Sequence, residues 1–361
     1  ISTPLVLLTG ILGIVAVFAS WNITSRIKEH FMWLLVLQGA VIGVFTAMDF
    51  FLFFLFWELE LIPMFFLISI WGSGRKEYSA MKFLIFTILG SAFMLVGILA
   101  LYFSTGTFDM TLLPDKIAGA DLILPASILF FLTIIGFAIK LPVFPFHTWL
   151  PDAHSEAPTA GSVLLAGVLL KMGGYGLIRF CLPIFPDVST TFAPFVLWMS
   201  VVAILYGGYM ALAQTDLKRL VAYSSVSHMG FVTLGIFSFN NEGIEGAILQ
   251  MVTHGITTGA LFLMVGQLYD RTHSRSIADY GGLYQRMPRF VAILSLFVVA
   301  SFGLPATSNF IGEFLILVGV SYVNFLFVVL AMGGIVLGAA YMLWMLQRVA
   351  LGDRKSTRLN S

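Results

Sequence analysis

The sequence predicts an all-α, polytopic integral membrane protein, and two observations lead to that fold class. Of the 361 residues, 59% are hydrophobic and only 10% are charged, whereas a soluble domain carries roughly 25% charged residues. The apolar residues form runs of about 20, the length that a helix needs to cross a bilayer with its backbone polar groups satisfied. This composition excludes a soluble globular enzyme, a disordered chain and a nucleic-acid binder, which needs a basic face.

Polar residues and Gly or Pro divide the apolar runs into about eleven predicted transmembrane helices. They cover residues 3–20, 31–48, 50–71, 80–103, 122–141, 157–181, 192–214, 218–239, 243–269, 289–319 and 323–349. Proline interrupts the fifth at Lys140-Leu-Pro-Val-Phe-Pro-Phe146 and the tenth at Gly303-Leu-Pro-Ala-Thr-Ser-Asn309. Because proline removes a backbone donor and clashes with the preceding turn, we expect two discontinuous helices.

The basic residues of the loops support this division and predict an orientation. One set of alternate loops holds Arg26, Lys28, Arg75, Lys76, Lys82, Lys218, Arg219, Arg271, Arg275, Arg286, Arg289 and Arg348, and the other set holds Lys116 and Arg179. Short cytoplasmic loops carry the excess of Lys and Arg. The odd-numbered helices are therefore predicted to run toward the cytoplasm, where the polar loop 147–158 also lies.

Both ends of the chain are unusual. The chain begins at Ile1 with no charged segment before its first apolar run, so no signal peptide is predicted and we expect native residues to precede it. Back-translation of residues 353–361 resembles a common sequencing-adapter oligonucleotide. We therefore expect this tail to be read-through, assign no lipid-binding role to its basic residues, and assign residues 1–352 to the membrane domain.

Seven ionisable side chains of the predicted helices lie away from the basic loops and are functional candidates, because each costs at least about 2.5 kcal/mol inside a membrane on insertion scales. They are Glu58, Glu60, Lys140, Lys171, His228, His254 and Glu313. Glu58 and Glu60 point about 200° apart on a helix, so we expect only one of them to face an interior partner. Alternatively, both lie near a helix end and reach water.

The two lysines suit a proton switch. A buried lysine beside a carboxylate stays charged, and one that loses the carboxylate releases its proton. Lys140 lies at the proline break, and the glycines that follow Lys171 allow close helix approach. A fixed structural ion pair is the alternative reading of such a lysine.

His228 and His254 titrate near neutral pH and can relay protons through adjacent hydroxyl groups, although a satisfied core histidine is the alternative for each. The polar loop adds a cluster of four residues, namely His147, Asp152, His154 and Glu156. Their spacing lacks a metal-ligand pattern, which favours proton uptake or loop anchoring over a metal site. 

Other chemistries lack their motifs. The sequence has no phosphate-binding loop, dinucleotide fingerprint or zinc-protease motif. The single cysteine, Cys181, excludes a disulfide framework and a cysteine-ligated cluster. The remaining interpretation is a conduit for a small cation.

Four segments closely resemble the antiporter-like proton-pumping subunits of respiratory complex I. They are Trp57-Glu-Leu-Glu-Leu-Ile-Pro-Met64, the run Lys140 to His154 with Glu156-Ala-Pro158, Leu169-Leu-Lys-Met-Gly-Gly-Tyr175, and Ala222-Tyr-Ser-Ser-Val-Ser-His-Met-Gly-Phe231. The resemblance covers residues 1 to 350. Within the family, Glu313 in Asn309-Phe-Ile-Gly-Glu-Phe314 is typical of the member that has a carboxylate where its two siblings usually have lysine.

The resemblance implies about fourteen helices, arranged as two inverted five-helix repeats that each contain one broken helix. This chain then lacks the first two helices and the last. Its predicted helices two to six and seven to eleven form the repeats, with one proline-broken helix in each. The resemblance further implies that Glu58 pairs with Lys140, that Lys171 and His228 continue a polar axis, and that His254 connects to the terminal proton site at Glu313. Glu60 receives no role.

The implied function is a membrane-arm subunit of proton-pumping NADH-quinone oxidoreductase in a bacterial inner membrane. It translocates protons, whereas NADH, FMN, iron–sulfur clusters and quinone bind other subunits and this chain holds no redox site or cofactor. Its implied partners are the other membrane-arm subunits, including two antiporter-like siblings, and the lipid bilayer. The alternatives are a subunit of a multi-subunit sodium/proton antiporter or membrane-bound hydrogenase, and a structural spacer whose polar residues only fix helix registry.

Overall fold

The computed structural model describes residues 1–351, so the tail predicted at 353–361 lies outside the described residues. This part of the chain is helical and contains no β-strand. Eight helical segments of this part are long and apolar enough to cross a membrane, with Phe50–Trp71 counted as one segment. The predicted all-α polytopic fold class is confirmed. The helices divide into two compact units, residues 1–197 and the residues from 198 onward.

The first unit contains nine helices and the beginning of a tenth. They are α1 (Ser2–Ala19), α2 (Ile27–Thr46), α3 (Phe50–Leu59), α4 (Leu61–Trp71), α5 (Lys76–Thr105), α6 (Leu113–Ile117), α7 (Ala126–Lys140), α8 (Trp149–Glu156), α9 (Thr159–Ile184) and α10 (Pro186–Leu212). Within α9, Leu165–Leu169 and Leu177–Cys181 are π-helical turns. Every residue of the most apolar window of α9 is buried.

The second unit contains the end of α10 and six further helices. They are α11 (Leu217–Ile236), α12 (Asn241–Thr272), α13 (Leu283–Arg286), α14 (Pro288–Ser301), α15 (Ser308–Ser321) and α16 (Phe325–Leu351). Helices α11 and α15 both pack on α12. Asp216 and Asn240 cap α11 and α12, because each side chain accepts a hydrogen bond from a backbone N–H of the first turn.

Each unit contains one of the two predicted broken helices. In the first, α7 ends at Lys140 and α8 begins at Trp149, with Pro142 and Pro145 between them. In the second, α14 ends at Ser301 and α15 begins at Ser308, and Gly303 has a φ of +71° that favours glycine. The proline signals therefore located both interruptions.

Two predicted elements differ in the structure. The helix predicted at 50–71 is interrupted at Glu60, because Pro63 has no N–H to donate to the carbonyl of Leu59, four residues earlier. The loop predicted at 147–158 instead contains the short helix α8. Its first residue, Trp149, is buried and donates its Nε1–H to the carbonyl of Ile139 at 3.0 Å. This tertiary contact outweighs the loop signal of the local prolines.

Close packing between α9 and α7 depends on Gly173. A Cβ at this residue would lie 2.6 Å from the carbonyl oxygen of Phe137 and 2.7 Å from the backbone N of Leu141. The predicted close approach beside Lys171 is confirmed. Because both neighbours are backbone atoms, a side chain here can be accommodated only by moving one helix.

Gly173→Ala is therefore expected to lower the midpoint of thermal unfolding in native membranes. Overpacking of this kind costs about 1–3 kcal/mol. Gly39→Ala is the matched control, because a Cβ on Gly39 of α2 meets nothing within 4 Å. Equal midpoints for the two variants would contradict the packing argument.

Candidate functional site

A buried ion pair marks the proline break of the first unit. The ammonium of Lys140, at the end of α7, donates to Oε1 of Glu60, and both side chains are almost fully buried. Nζ also lies 5.6 Å from the ring centroid of Trp57 and 5.3 Å from that of Phe83. The aromatic faces and the carboxylate thus favour the charged lysine in a site from which water is largely excluded.

The predicted pairing of Lys140 with Glu58 is wrong, because Lys140 pairs with Glu60. The helix break puts Glu60 between α3 and α4 with its side chain turned inward. Glu58, two residues earlier on α3, is only partly buried and interacts with Ser91 of α5. The expectation that only one of the two carboxylates pairs is confirmed, but the resemblance selected the other one.

Lys171 lies at the centre of the buried helix α9. Its ammonium donates to the carbonyl of Ala166, which belongs to the π-helical turn Leu165–Leu169. A π-turn widens the helix locally and is frequent at functional sites. The side chain is fully buried, as expected for an intramembrane lysine that faces protein and not lipid.

A second buried cluster lies in the second unit and joins three helices. Nδ1 of His228 on α11 lies 3.1 Å from Oε1 of Glu313 on α15, and Nε2 of Gln250 on α12 donates to the same oxygen at 3.1 Å. The ring centroid of His254 on α12 lies 5.4 Å from that of His228. An ionised carboxylate only accepts hydrogen bonds, so Nδ1 of His228 carries the proton whenever Glu313 is charged.

The structure adds a contact that the resemblance did not imply. His228 contacts Glu313 directly, and His254, which we expected to connect to the Glu313 site, lies beside His228. The reason is that α11 and α15 pack against each other as well as on α12, which brings His228 to Glu313 directly. The hydroxyls of Ser224, Ser225 and Ser227, predicted to relay protons, donate to backbone carbonyls.

Sequence reasoning missed two residues of this cluster. Gln250 is fully buried and precedes His254 by four residues, so the helical period already places both on one face of α12. Tyr341 of α16 is also buried, hydrogen-bonds to Ser224 and lies within electrostatic range of Glu313. The spacing of Gln250 from His254 is a sequence signal, but a search for charged residues overlooks it. Tyr341 lies in an ordinary apolar run and has no such signal.

The polar loop cluster anchors the segment around α8. Asp152 accepts from Nζ of Lys82 at 2.7 Å, which ties α8 to α5. The backbone carbonyl of Glu156 accepts from the N–H of Ser73, and the carbonyl of His154 accepts from the hydroxyl of Ser162. Among residues 1–351, no group of three or more His, Cys, Asp or Glu side chains is arranged to hold a metal ion.

These contacts define a membrane protein with two buried clusters of ionisable side chains beside broken helices, and sequence comparison identifies its class. Residues 47–338 match the family model described as NADH:quinone oxidoreductase/Mrp antiporter, transmembrane. The chain belongs to this family. 

Individual relatives narrow the identification. The chain is 49% identical to NADH-quinone oxidoreductase subunit M of Rhodobacter capsulatus, over 98% of this chain and 71% of the relative. The protein of the same name in Pseudomonas aeruginosa is also 49% identical, over 99% and 72%. NADH-ubiquinone oxidoreductase chain 4 of Chondrus crispus is 46% identical, over 98% and 72%. The predicted family, the predicted role as a complex I membrane subunit and the multi-pass location in a bacterial inner membrane are confirmed.

Solved structures agree with this assignment. A chain of respiratory complex I from Thermus thermophilus with bound NADH superposes with a TM-score of 0.88 at 32% identity, over 98% of this chain and 74% of that one. The archaeal membrane-bound sulfane sulfur reductase gives 0.92 at 23% identity, over 100% and 74%. The Mrp complex from Dietzia gives 0.88 at 21% identity, over 99% and 68%. The last two share the fold.

Proposed function

We propose that this chain moves protons across the membrane through its two buried clusters, within a complex that oxidises NADH and reduces quinone. The observation that carries the proposal is the buried pair of Lys140 and Glu60 at the broken helix. In the second unit, His228 and Glu313 supply a second site where a proton can be exchanged. Lys171, His254 and Glu58 complete the set of ionisable side chains assigned to the path.

The pair of Lys140 and Glu60 acts as the switch. While Glu60 is charged, the carboxylate holds the ammonium; when the negative charge leaves, desolvation drives the lysine to release its proton. In water, a lysine keeps its proton whether or not a carboxylate is nearby. In a buried site, the charge of the neighbouring carboxylate decides whether the lysine keeps its proton.

The later steps use the groups that the sequence predicts. The proton passes from Lys140 to Lys171, then through the adjacent His228 and His254, and leaves at Glu313. The hydrogen bond between His228 and Glu313 makes these two residues the terminal site, because a proton on Nδ1 lies directly on the line to Oε1. Gln250 stabilises the charged carboxylate that remains after release.

The energy comes from partner subunits. We propose that NADH, FMN, iron–sulfur clusters and quinone bind there, and that two antiporter-like siblings flank this chain in the membrane arm. The names of the relatives support the assembly, and the single cysteine of this sequence cannot ligate an iron–sulfur cluster. Lipid contacts its exposed apolar faces, such as those with Leu35, Ile85 and Val336.

The transported ion tests the proposal against its nearest alternative. In inverted vesicles that contain the native complex, proton uptake should follow NADH:quinone turnover at a fixed ratio with and without Na⁺. A requirement for Na⁺, or its countertransport, would identify the sodium/proton antiporter activity instead. An unchanged ratio of protons to electrons in a complex that assembles without this chain would support the structural spacer.

A further inference from the structure

We propose that Glu58 and Glu60 together hold one exchangeable proton, and that its transfer from Glu58 to Glu60 is the step that frees Lys140. This inference rests on the proposed function and names the group that operates its switch. It concerns three side chains, Glu58, Glu60 and Lys140, which we call the two-carboxylate site.

The charges of the two-carboxylate site do not balance when all three groups are ionised. Two carboxylates then face one ammonium, and Glu58 and Glu60 each interact electrostatically with Lys140. A buried negative charge without a partner costs several kcal/mol. One proton held by the two carboxyl groups removes this excess charge.

Three basic side chains of neighbouring elements make their described contacts elsewhere. Lys82 of α5 lies in the same helix as Phe83, whose ring lies near Lys140, but the ammonium of Lys82 pairs with Asp152 of α8 at 2.7 Å. Lys171 of α9 directs its ammonium to the carbonyl of Ala166. On α2, Nε2 of His30 lies 2.9 Å from the hydroxyl of Ser20.

Hydrogen bonding leads to the same conclusion. Lys140 donates its hydrogen bond to Oε1 of Glu60. The other oxygen of Glu60, Oε2, and Oε1 of Glu58 are buried and accept no hydrogen bond from residues 1–351. An ionised carboxylate offers acceptors alone, but a protonated one also offers an O–H donor. A proton on one carboxyl group therefore stabilises the site, because a neutral carboxyl group costs less to bury than a carboxylate without a partner.

Burial assigns the two carboxyl groups different tasks. Glu60 is fully buried against Lys140, whereas Glu58 is partly exposed and lies beside Ser91. Glu58 is therefore the group that exchanges protons with its surroundings, and Glu60 is the group that holds the lysine. The helical backbone gives each carboxylate its own direction, because residues two apart on a helix point about 200° away from each other.

The proton transfer is balanced without any further reactant. In the resting state Glu58 is protonated and Glu60 is ionised and paired with the ammonium. The O–H bond on Glu58 breaks and an O–H bond forms on Glu60, so the negative charge moves from Glu60 to Glu58. Lys140 loses the anion that held it and releases its proton to the next group of the path.

Infrared spectroscopy of the native complex tests the shared proton with two matched variants of the full-length protein. The native complex should show the carbonyl stretch of one protonated carboxyl group that is missing from both Glu58→Gln and Glu60→Gln. This band should therefore appear in each difference spectrum of native complex minus variant. Each variant leaves one carboxylate for one lysine, so the remaining carboxylate ionises. Glu77→Gln is the control, because Glu77 is an exposed carboxylate at the beginning of α5.

Retention of the band in Glu60→Gln would show that Glu58 is protonated independently of Glu60 and would overturn the proposal. Retention in Glu58→Gln would do so as well, and that variant keeps the pair of Lys140 and Glu60 for folding. Proton uptake per electron should fall in both variants. If Lys140→Arg stops proton uptake while Glu58→Gln and Glu60→Gln keep the carbonyl band, proton translocation through Lys140 stands and the shared proton is wrong. If Lys140→Arg pumps normally, the proposed translocation mechanism itself is wrong.

Discussion

Lys140→Arg is expected to stop proton uptake in an assembled complex while the site keeps its positive charge. Arginine binds its proton about 100-fold or more tightly than lysine, since the two pKa values differ by roughly 2–3 units. The guanidinium can still pair with Glu60, so the variant separates proton release from structural charge. NADH:quinone turnover and proton uptake, recorded together in inverted vesicles, measure the effect.

Lys140→Ala should have the same effect on pumping together with a loss of stability. It leaves Glu60 buried without a partner, which costs about 3–5 kcal/mol. The double variant Glu60→Gln with Lys140→Ala should recover assembly but not pumping. Lys116→Ala, which removes an exposed lysine of α6, is the control for a changed charge. Normal uptake per electron in Lys140→Arg would make the lysine structural and favour the spacer.

Glu313→Gln is expected to slow proton uptake by at least about tenfold, which corresponds to about 1.4 kcal/mol of activation free energy. The amide cannot bind a proton, and it replaces the carboxylate whose Oε1 lies 3.1 Å from both His228 and Gln250. A hydrogen bond to a charged group contributes about 1.5–3 kcal/mol, so the change also weakens the charged form of His228. The same vesicle measurement applies.

Two further variants make the result for Glu313 specific. Glu313→Asp keeps a carboxylate that can bind a proton and should retain part of the proton uptake. If only the shape of the side chain mattered, glutamine would retain more uptake than the shorter aspartate. Glu245→Gln removes an exposed carboxylate from α12 and should pump normally. Full pumping by Glu313→Gln in an assembled complex would exclude Glu313 as the terminal proton site.

The candidate site could be predicted from the sequence only as an inventory of residues. Charged side chains in apolar runs are visible without a fold, because each violates the same local rule. Their partners are not visible in this way. Lys140 and Glu60 are 80 residues apart, and His228 and Glu313 are 85 apart. Gln250 was missed because it is uncharged, although its spacing from His254 already put both on one face.

The sequence by itself determined the membrane class, the approximate helices, both proline-broken segments and the charged residues inside them. Composition and local backbone chemistry decide these features, and neither requires a neighbouring helix. Only the tertiary structure decided that Glu60 and not Glu58 holds Lys140, and that His228 contacts Glu313 directly. Those pairings depend on which helix faces pack together, which no local pattern encodes.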